Sequence, residues 1–263
     1  MKRSNIFWGV MLVVLGGLFL LEQQKLVKDV WGLAVPLGLI LAGALALVHR
    51  PSDNDAADGG FEVPLQNAAR VDIDLDHGAG SVKIDGSAGE GQAMRGNNGA
   101  GLEKKIDHGA NGLAIQLHAG PSFLPFLGPE SGEWHFGLTP NAPITINLDA
   151  GAANLDLDLA NLKVSFLKLQ IGAANLKVQF PSAGKTLAEI ESGMASQQLI
   201  IPNGMEARIR VEQGASTVNL DQNRFKPHGS SGEATLYQSD GFGMGENQLE
   251  LNLKGGANTI AIE

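Results

Sequence analysis

Residues 144–180 read ITINLDAGAANLDLDLANLKVSFLKLQIGAANLKVQF, and this stretch decides the fold. The pentapeptide GAANL occurs twice in it, beginning at Gly151 and again at Gly172, which lie 21 residues apart. On both sides of each glycine, apolar and polar residues alternate, which is the period of a β-strand. The stretch therefore predicts two copies of one unit, each made of a strand, a glycine-containing corner and a second strand.

The glycine signature recurs along the rest of the chain. Gly193 and Gly214 continue the 21-residue spacing, and Gly109 and Gly256 each lie two periods from a neighbour in the series. A fixed period of this length is typical of stacked repeats, so we expect an all-β, β-solenoid-like domain with one continuous apolar column. A β-sandwich is the alternative, although its loops vary in length. The predicted repeat corners are Gly78, Gly109, Gly151, Gly172, Gly193, Gly214 and Gly256.

Two physical reasons favour glycine at a stacked corner. The backbones of neighbouring corners come close together, and a sharp bend often requires a positive φ. Near the corners, we expect Asn154, Asn175 and Asn258 to bond turn backbone or to stack in a ladder. The Gly193 copy fits the pattern less well, because Gln197 stands where the other copies have an apolar residue.

The N-terminal region contains two apolar runs without a charged residue, at 6–21 and 30–48. The second run is long enough to cross a hydrocarbon core of about 30 Å as a helix, and the first is slightly shorter. We therefore predict a two-helix transmembrane hairpin over residues 1–50. A polar linker at 51–60 and a β domain at 61–263 complete the expected domain organisation.

A secretory signal peptide is the alternative interpretation of the first run, because Lys2 and Arg3 precede it. The sequence after that run has no small-x-small cleavage pattern, and the second run follows at once. Positive charges also bear on topology: Lys2, Arg3 and Arg50 flank the hairpin, whereas Lys25 and Lys28 lie in its loop. The positive-inside rule then predicts a multi-pass protein of the cell membrane, in contact with membrane lipid, whose β domain is cytoplasmic.

Composition excludes several classes of function. The formal net charge is −9, and no basic stretch follows Arg50, which argues against binding of nucleic acid. The chain has no cysteine, which excludes disulfides, cysteine-based zinc sites and thiol catalysis. A cysteine-free domain is compatible with either side of a membrane.

Two groups of residues invite a metal-binding hypothesis. Asp72, Asp74 and Asp76 alternate along one strand face before His77, and His77 and His108 each precede a repeat glycine. A solvated strand face explains the aspartates better, and exposed corner positions explain the histidines better. Neither a nucleophile elbow nor a phosphate-binding loop is recognisable. We therefore expect no enzyme activity, no cofactor and no metal site.

A short apolar stretch between prolines interrupts the repeat and contains Phe123, Leu124, Phe126 and Leu127. One hypothesis is that these side chains form a loop that contacts a partner or the membrane. The other, which we favour, is that they cap an open end of the stack.

The sequence also resembles a known family. The segment 134–181, which includes the two GAANL copies, and its continuation IESGMASQQLIIPNGMEARIRVEQG at 190–214 resemble the toast-rack domain of LiaF-like, cell-wall-active antibiotic response proteins. The N-terminal runs are similar to a small transmembrane module of bacterial envelope-stress proteins. The resemblance implies a non-enzymatic protein that tunes a membrane sensor kinase, without catalytic residues. A regulator or scaffold of the envelope-stress response is thus the expected function, and a surface module for adhesion or polysaccharide binding is the alternative.

Overall fold

The computed structural model describes most of the β domain. The chain divides into two units, Met1–Asn54 and Asp55–Glu263, and every described residue belongs to the second. The two predicted apolar helices therefore lie outside the described residues. In the described part of the chain, no helix is long and apolar enough to cross a membrane. The described residues are 60–97, 102–109, 112–119, 133–232 and 234–263.

The described part is all-β, which confirms the predicted class for this region, and its fourteen strands belong to one sheet. The strands are β1 (Phe61–Pro64), β2 (Val71–Asp85), β3 (Gln92–Gly96), β4 (Leu102–Gly109), β5 (Gly112–Ala119), β6 (Glu133–Leu138), β7 (Pro143–Asp158), β8 (Lys163–Gln179), β9 (Lys185–Ile200), β10 (Glu206–Gln213), β11 (Thr217–Leu220), β12 (Lys226–Ser231), β13 (Ala234–Gln238) and β14 (Gln248–Ile262).

Five long strands, β2, β7, β8, β9 and β14, each line two sides of the core. In β7 the buried residues are even-numbered up to Ala150 and odd-numbered from Ala153 onward. The change occurs at Gly151 and Ala152, which are both exposed, so two successive residues point outward. Regular strands alternate strictly, and this double step therefore marks a bend. We call the part before the bend the N arm, the part after it the C arm, and one such level of the stack a rung.

The long strands run parallel, and their register is the sequence period. Leu148 of β7 lies opposite Leu169 of β8, which lies opposite Ile190 of β9. Each step is 21 residues, the spacing read from the glycines. Alternating apolar residues of one copy are therefore stacked on those of the next, as the repeat predicts.

The order of rungs departs from the order in sequence at both ends. The central order is β2, β7, β8, β9, β14, β10, so the C-terminal strand β14 lies between β9 and β10. The N arm of β14 pairs with β10, and its C arm pairs with β11. At the opposite end, β5 and β6 pair with the N arm and the C arm of β2. The step of 42 residues from Gly214 to Gly256 does not add a rung between them: the β12–β13 hairpin occupies that interval, and β10 pairs directly with β14.

One hydrophobic core fills the space between the N arms and the C arms. Leu148 and Leu155, on the two arms of β7, are each 2% exposed and belong to the same cluster. Burial of one such side chain stabilises a fold by roughly 1.5–3 kcal/mol. The same burial of apolar side chains occurs in successive rungs and forms the columns of Leu, Ile and Val that the sequence predicts. The largest fully buried side chains include Trp134, Phe136, Phe180 and Phe225.

Candidate functional site

A column of glycines runs along the bend and is the most regular feature of the domain. Cβ atoms placed on Gly151, Gly172 and Gly193 would each lie 2.6–2.7 Å from the carbonyl oxygen of the preceding glycine in the column. Real Cβ atoms do not approach so closely, so these positions require glycine for space. None of the three has a positive φ, and of the two reasons expected for glycine only close approach applies here. The column consists of Gly78, Gly151, Gly172, Gly193, Gly256 and Gly214.

Gly109, the seventh predicted corner, lies elsewhere. It ends β4 and pairs with Gly112 of β5 across an antiparallel hairpin. Gly109 therefore lies at a multiple of the period but does not form a bend between two arms. The alternating apolar residues after it, Leu113 and Ile115, do enter the core, but as part of β5.

Small side chains flank the glycine column on the outside of the bend. Ala152 of β7 pairs with Ala173 of β8, which pairs with Met194 of β9. Both alanines are exposed, and Met194 is 66% exposed. The bend thus presents a row of exposed methyl groups and one thioether, that of Met194.

The core side of the bend is polar at β9, where Gln197 interrupts the apolar pattern of the repeat. Gln197 is buried, and its Nε2 donates a hydrogen bond of 2.9 Å to the Ser192 hydroxyl. The buried Asn258 side chain accepts a 2.7 Å hydrogen bond from the Ala195 amide. The Gln197 Oε1 has no hydrogen-bond partner in the described structure. At β9, a buried polar side chain thus occupies the position at which the neighbouring strands have leucine and isoleucine.

His77 does not occupy the exposed corner position that we expected. It is only 1% exposed, and its ring lies 4.4 Å from the Trp134 ring, centroid to centroid. Neither ring nitrogen has a hydrogen-bond partner among the described residues. Burial lowers the pKa of His77 below its ordinary value, although the Asp76 carboxylate opposes the shift. His108, its proposed equivalent, is exposed on β4, so the two histidines are not equivalent.

The outer face of the N arms carries the predicted aspartates. Asp74 and Asp76 are exposed, and Asp72 accepts a 3.0 Å hydrogen bond from Arg70. Among the residues that the structure describes, no three His, Asp or Glu side chains are grouped so that they could hold a metal ion. Asp74 and Asp76 thus lie on a solvated strand face.

The outer face of the C arms is an open polar groove of about 770 Å³ that crosses the rungs. Lys83, Asp156 and Lys177 lie side by side on successive strands, so opposite charges alternate across it. Next to this row, the Asn175 amide donates a 3.0 Å hydrogen bond to the Asn154 side chain, which is the asparagine ladder expected from sequence. The groove offers hydrogen-bonding groups at the strand spacing of about 4.8 Å.

One histidine–aspartate pair lies at the end of that groove. His135 Nε2 is 2.8 Å from an Asp85 carboxylate oxygen, and the Ser87 hydroxyl also bonds Asp85. Burial acts to raise the pKa of Asp85, but the hydrogen bonds from Ser87 and His135 outweigh it and hold that pKa below its ordinary value. The serine donates to the aspartate rather than to the histidine, so this is not a nucleophile activated by a base. The pair ties β6 to β2.

The predicted apolar loop residues Phe123, Leu124, Phe126 and Leu127 lie outside the described residues. The strands on either side of that segment, β5 and β6, form the two arms of the rung next to β2. Its position in sequence is therefore between the two arms of an end rung.

These features define a class: an all-β domain of bent parallel strands, stacked in register on a column of glycines. The family model for the N-terminal domain of toast_rack, DUF2154, matches residues 52–200. That is more than half of the chain, which therefore belongs to the toast-rack family. No curated protein matches the chain in sequence.

A solved structure shares the fold at low sequence identity. A crystal structure of a "putative cell adhesion protein" from Clostridium sporogenes is similar with a TM-score of 0.65 and 20% identity, over 78% of this chain and 98% of that one. A "putative adhesin" from Bacteroides fragilis matches over 78% of this chain and 96% of that one, with 12% identity and a TM-score of 0.29. The first similarity describes the fold alone.

Proposed function

We propose that this chain is a non-enzymatic, membrane-anchored regulator or scaffold of a bacterial envelope-stress response. The observation that carries the proposal is the joining of two charge-free apolar runs to a β domain that offers broad outer faces. The described grooves are shallow and open, which suits contact with a macromolecule better than enclosure of a small substrate. Membership of the toast-rack family supports the same assignment.

In this proposal, each part of the molecule has one role. The hairpin formed by 6–21 and 30–48 holds the protein in membrane lipid and meets a membrane sensor protein there. The β domain, on the cytoplasmic side, is the rigid part that a regulatory partner contacts. The proposal assigns no chemistry to the β domain; in support, the serine–aspartate–histidine group of the described part has its serine bonded to the aspartate.

Deletion of the gene in its host tests the regulatory role. We expect an altered response of a cell-wall-stress reporter to wall-active antibiotics, with restoration by the full chain but not by residues 61–263 alone. A reporter that responds normally after deletion would contradict the proposal. Restoration by the β domain without the hairpin would contradict the role of the membrane anchor only.

A second candidate function is adhesion or polysaccharide binding at the cell surface. The polar groove on the outer face of the C arms favours it, because extended glycans are bound through repeated hydrogen bonds. The name of the structural neighbour from Clostridium sporogenes points the same way. This candidate requires an extracellular β domain, so protease treatment of intact cells and a reporter fused after Glu263 distinguish the two. A protected domain eliminates adhesion.

A further inference from the structure

Four strands of the described sheet have a neighbour on one side only: β1, β4, β11 and β12. Such edge strands expose backbone N–H and C=O groups that can pair with another chain. Proteins usually block this pairing with proline, bulges or charged side chains on the edge. The four edges can therefore be compared by the protection that each one carries.

Three of the edges are protected. β1 ends in Pro64 with a register shift beside it, and β12 has Pro227, also next to a register shift. β4 carries Lys104 and Lys105. β11, with the sequence TVNL, has no proline, no charge and no shift in its pairing with β14.

The core is also incompletely covered at β11. Val218 and Leu220 face inward but are only half-buried, whereas Ile260 and Ile262, their partners on β14, are 0% and 3% exposed. In the same rung, β10 is followed by the β13–β12 hairpin, and Ile209 is fully buried there. The N-arm side of this end is thus closed by a hairpin, and the C-arm side has no further strand among the described residues.

We propose that β11 pairs with β11 of a second copy of this chain, in antiparallel orientation about a twofold axis through Asn219. In that register Asn219 faces Asn219 of the other copy, and Val218 faces Leu220 on the core side. Thr217 lies opposite Asp221 on the outer side. No like charges face each other, and two apolar pairs extend the core across the axis.

The charge of the chain restricts where a second copy can approach, and this edge is compatible with that restriction. The net charge of −9 opposes close approach of two copies through most surfaces. The segment Thr217–Leu220 is uncharged, and its first charged neighbour, Asp221, meets a hydroxyl in this register. Four-residue strands bury little area, so the dimer is weak in dilute solution and strengthens where copies are concentrated.

Single cysteines test the register directly, because the chain has none of its own. The full chain carrying Asn219→Cys is purified in detergent and treated with an oxidant and, in parallel, with a short thiol-reactive cross-linker. Facing Cβ atoms in antiparallel strands lie about 4.5–5.5 Å apart, so efficient cross-linking to a dimer is expected. The matched control is Thr259→Cys, an exposed residue one strand farther from the edge, whose two copies would be about 20 Å apart because they are three strand spacings apart and also offset along the strands.

Charge variants in the Asn219→Cys background test the facing residues. Thr217→Asp places a carboxylate opposite Asp221 and lowers the cross-linking yield several-fold, whereas Thr217→Lys preserves or raises it. Circular dichroism and melting temperature verify that each variant is folded. A yield at residue 219 no higher than at residue 259 overturns the proposal, since contact through the N-terminal runs or another face would give that result. Equal yields for Thr217→Asp and Thr217→Lys overturn the register. If Asn219→Cys oxidised in host-cell membranes cross-links to a different protein alone, the second copy as occupant is overturned.

Discussion

The middle and the ends of the stack are built from the same rung but differ in how completely each rung is enclosed. β7, β8 and β9 have long parallel neighbours on both sides, with glycine next to glycine and mostly apolar core residues stacked on one another. At the β10–β11 end, the rung is split into two strands, and Leu220 is only half-buried. A repeat unit gains its stability from the units stacked on it. The same residue therefore contributes less to the stability of the domain at an end of the stack than in its middle.

Core leucines give the largest expected contrast between the two regions. Leu169 of β8 is 0% exposed, and Leu169→Ala is expected to destabilise the domain by about 2–5 kcal/mol because it leaves a cavity. Leu220→Ala at the end of the stack is expected to cost less than about 1.5 kcal/mol, since its side chain is already half in solvent. Chemical denaturation of both variants measures the difference. Equal losses would mean that the end is enclosed as tightly as the middle.

The glycine column gives the next contrast. Gly172→Ala forces a methyl group against the Gly151 carbonyl oxygen, and we expect a loss of about 1–3 kcal/mol from overpacking. Gly78 begins the column, and nothing in the described structure lies within 4 Å of a Cβ placed there. Gly78→Ala is therefore expected to change the free energy of unfolding by less than about 0.5 kcal/mol. If both variants melt alike, close approach is not the reason for glycine in the column.

The buried polar side chains of β9 at the bend can be replaced by apolar ones, like those of the neighbouring strands. Ser192→Ala alone removes the partner of a buried amide and is expected to cost about 1 kcal/mol or more. Gln197→Leu combined with Ser192→Ala removes both polar groups and is expected to restore or exceed the original stability. A double-mutant cycle by denaturation measures the coupling of the two residues. Additive losses would contradict the hydrogen-bonded pair as the reason for polarity here.

Substitution of His77 is expected to change the stability of the domain least of all at neutral pH, and to change how that stability depends on pH in acid. Its folded-state pKa lies below the ordinary value of 6.5, so the unfolded chain binds a proton more readily than the folded one. The contribution of neutral His77 is therefore fully present above pH 6.5 and is lost as the pH falls through the interval below it. His77→Phe is expected to flatten the pH dependence of melting between about pH 7 and 5. A matched change at the exposed His108, His108→Phe, leaves that dependence intact; an identical response of both variants would exclude His77 as its source.

The middle of the stack was predictable from sequence because one physical requirement repeats there at one interval. Gly151, Gly172 and Gly193 had to be small, and the alternating residues around them had to face one core. The ends were not predictable by the same reasoning. Gly109 has the right spacing but forms a hairpin with Gly112, since period alone cannot distinguish a bend from a turn.

The position of β14 and the burial of His77 also escaped sequence reasoning. Both depend on contacts between residues far apart in the chain: β14 lies between β9 and β10, and His77 packs against Trp134. The polar groove has no sequence signal beyond a solvated face, because the same alternation describes any outward strand.

The insertion of β14 fixes when the domain can be completed during synthesis. β9 and β10 share no pairing of their own, and β14 is the common neighbour of both. A nascent chain that ends before Gln248 therefore contains a stack of rungs and a detached end piece with nothing between them. Pairing across such long sequence separations is slow, because loop closure comes before the contacts that repay it. β14, the last of the described strands to leave the ribosome, is thus the one that joins the two parts, and removal of β14 divides the sheet instead of shortening it.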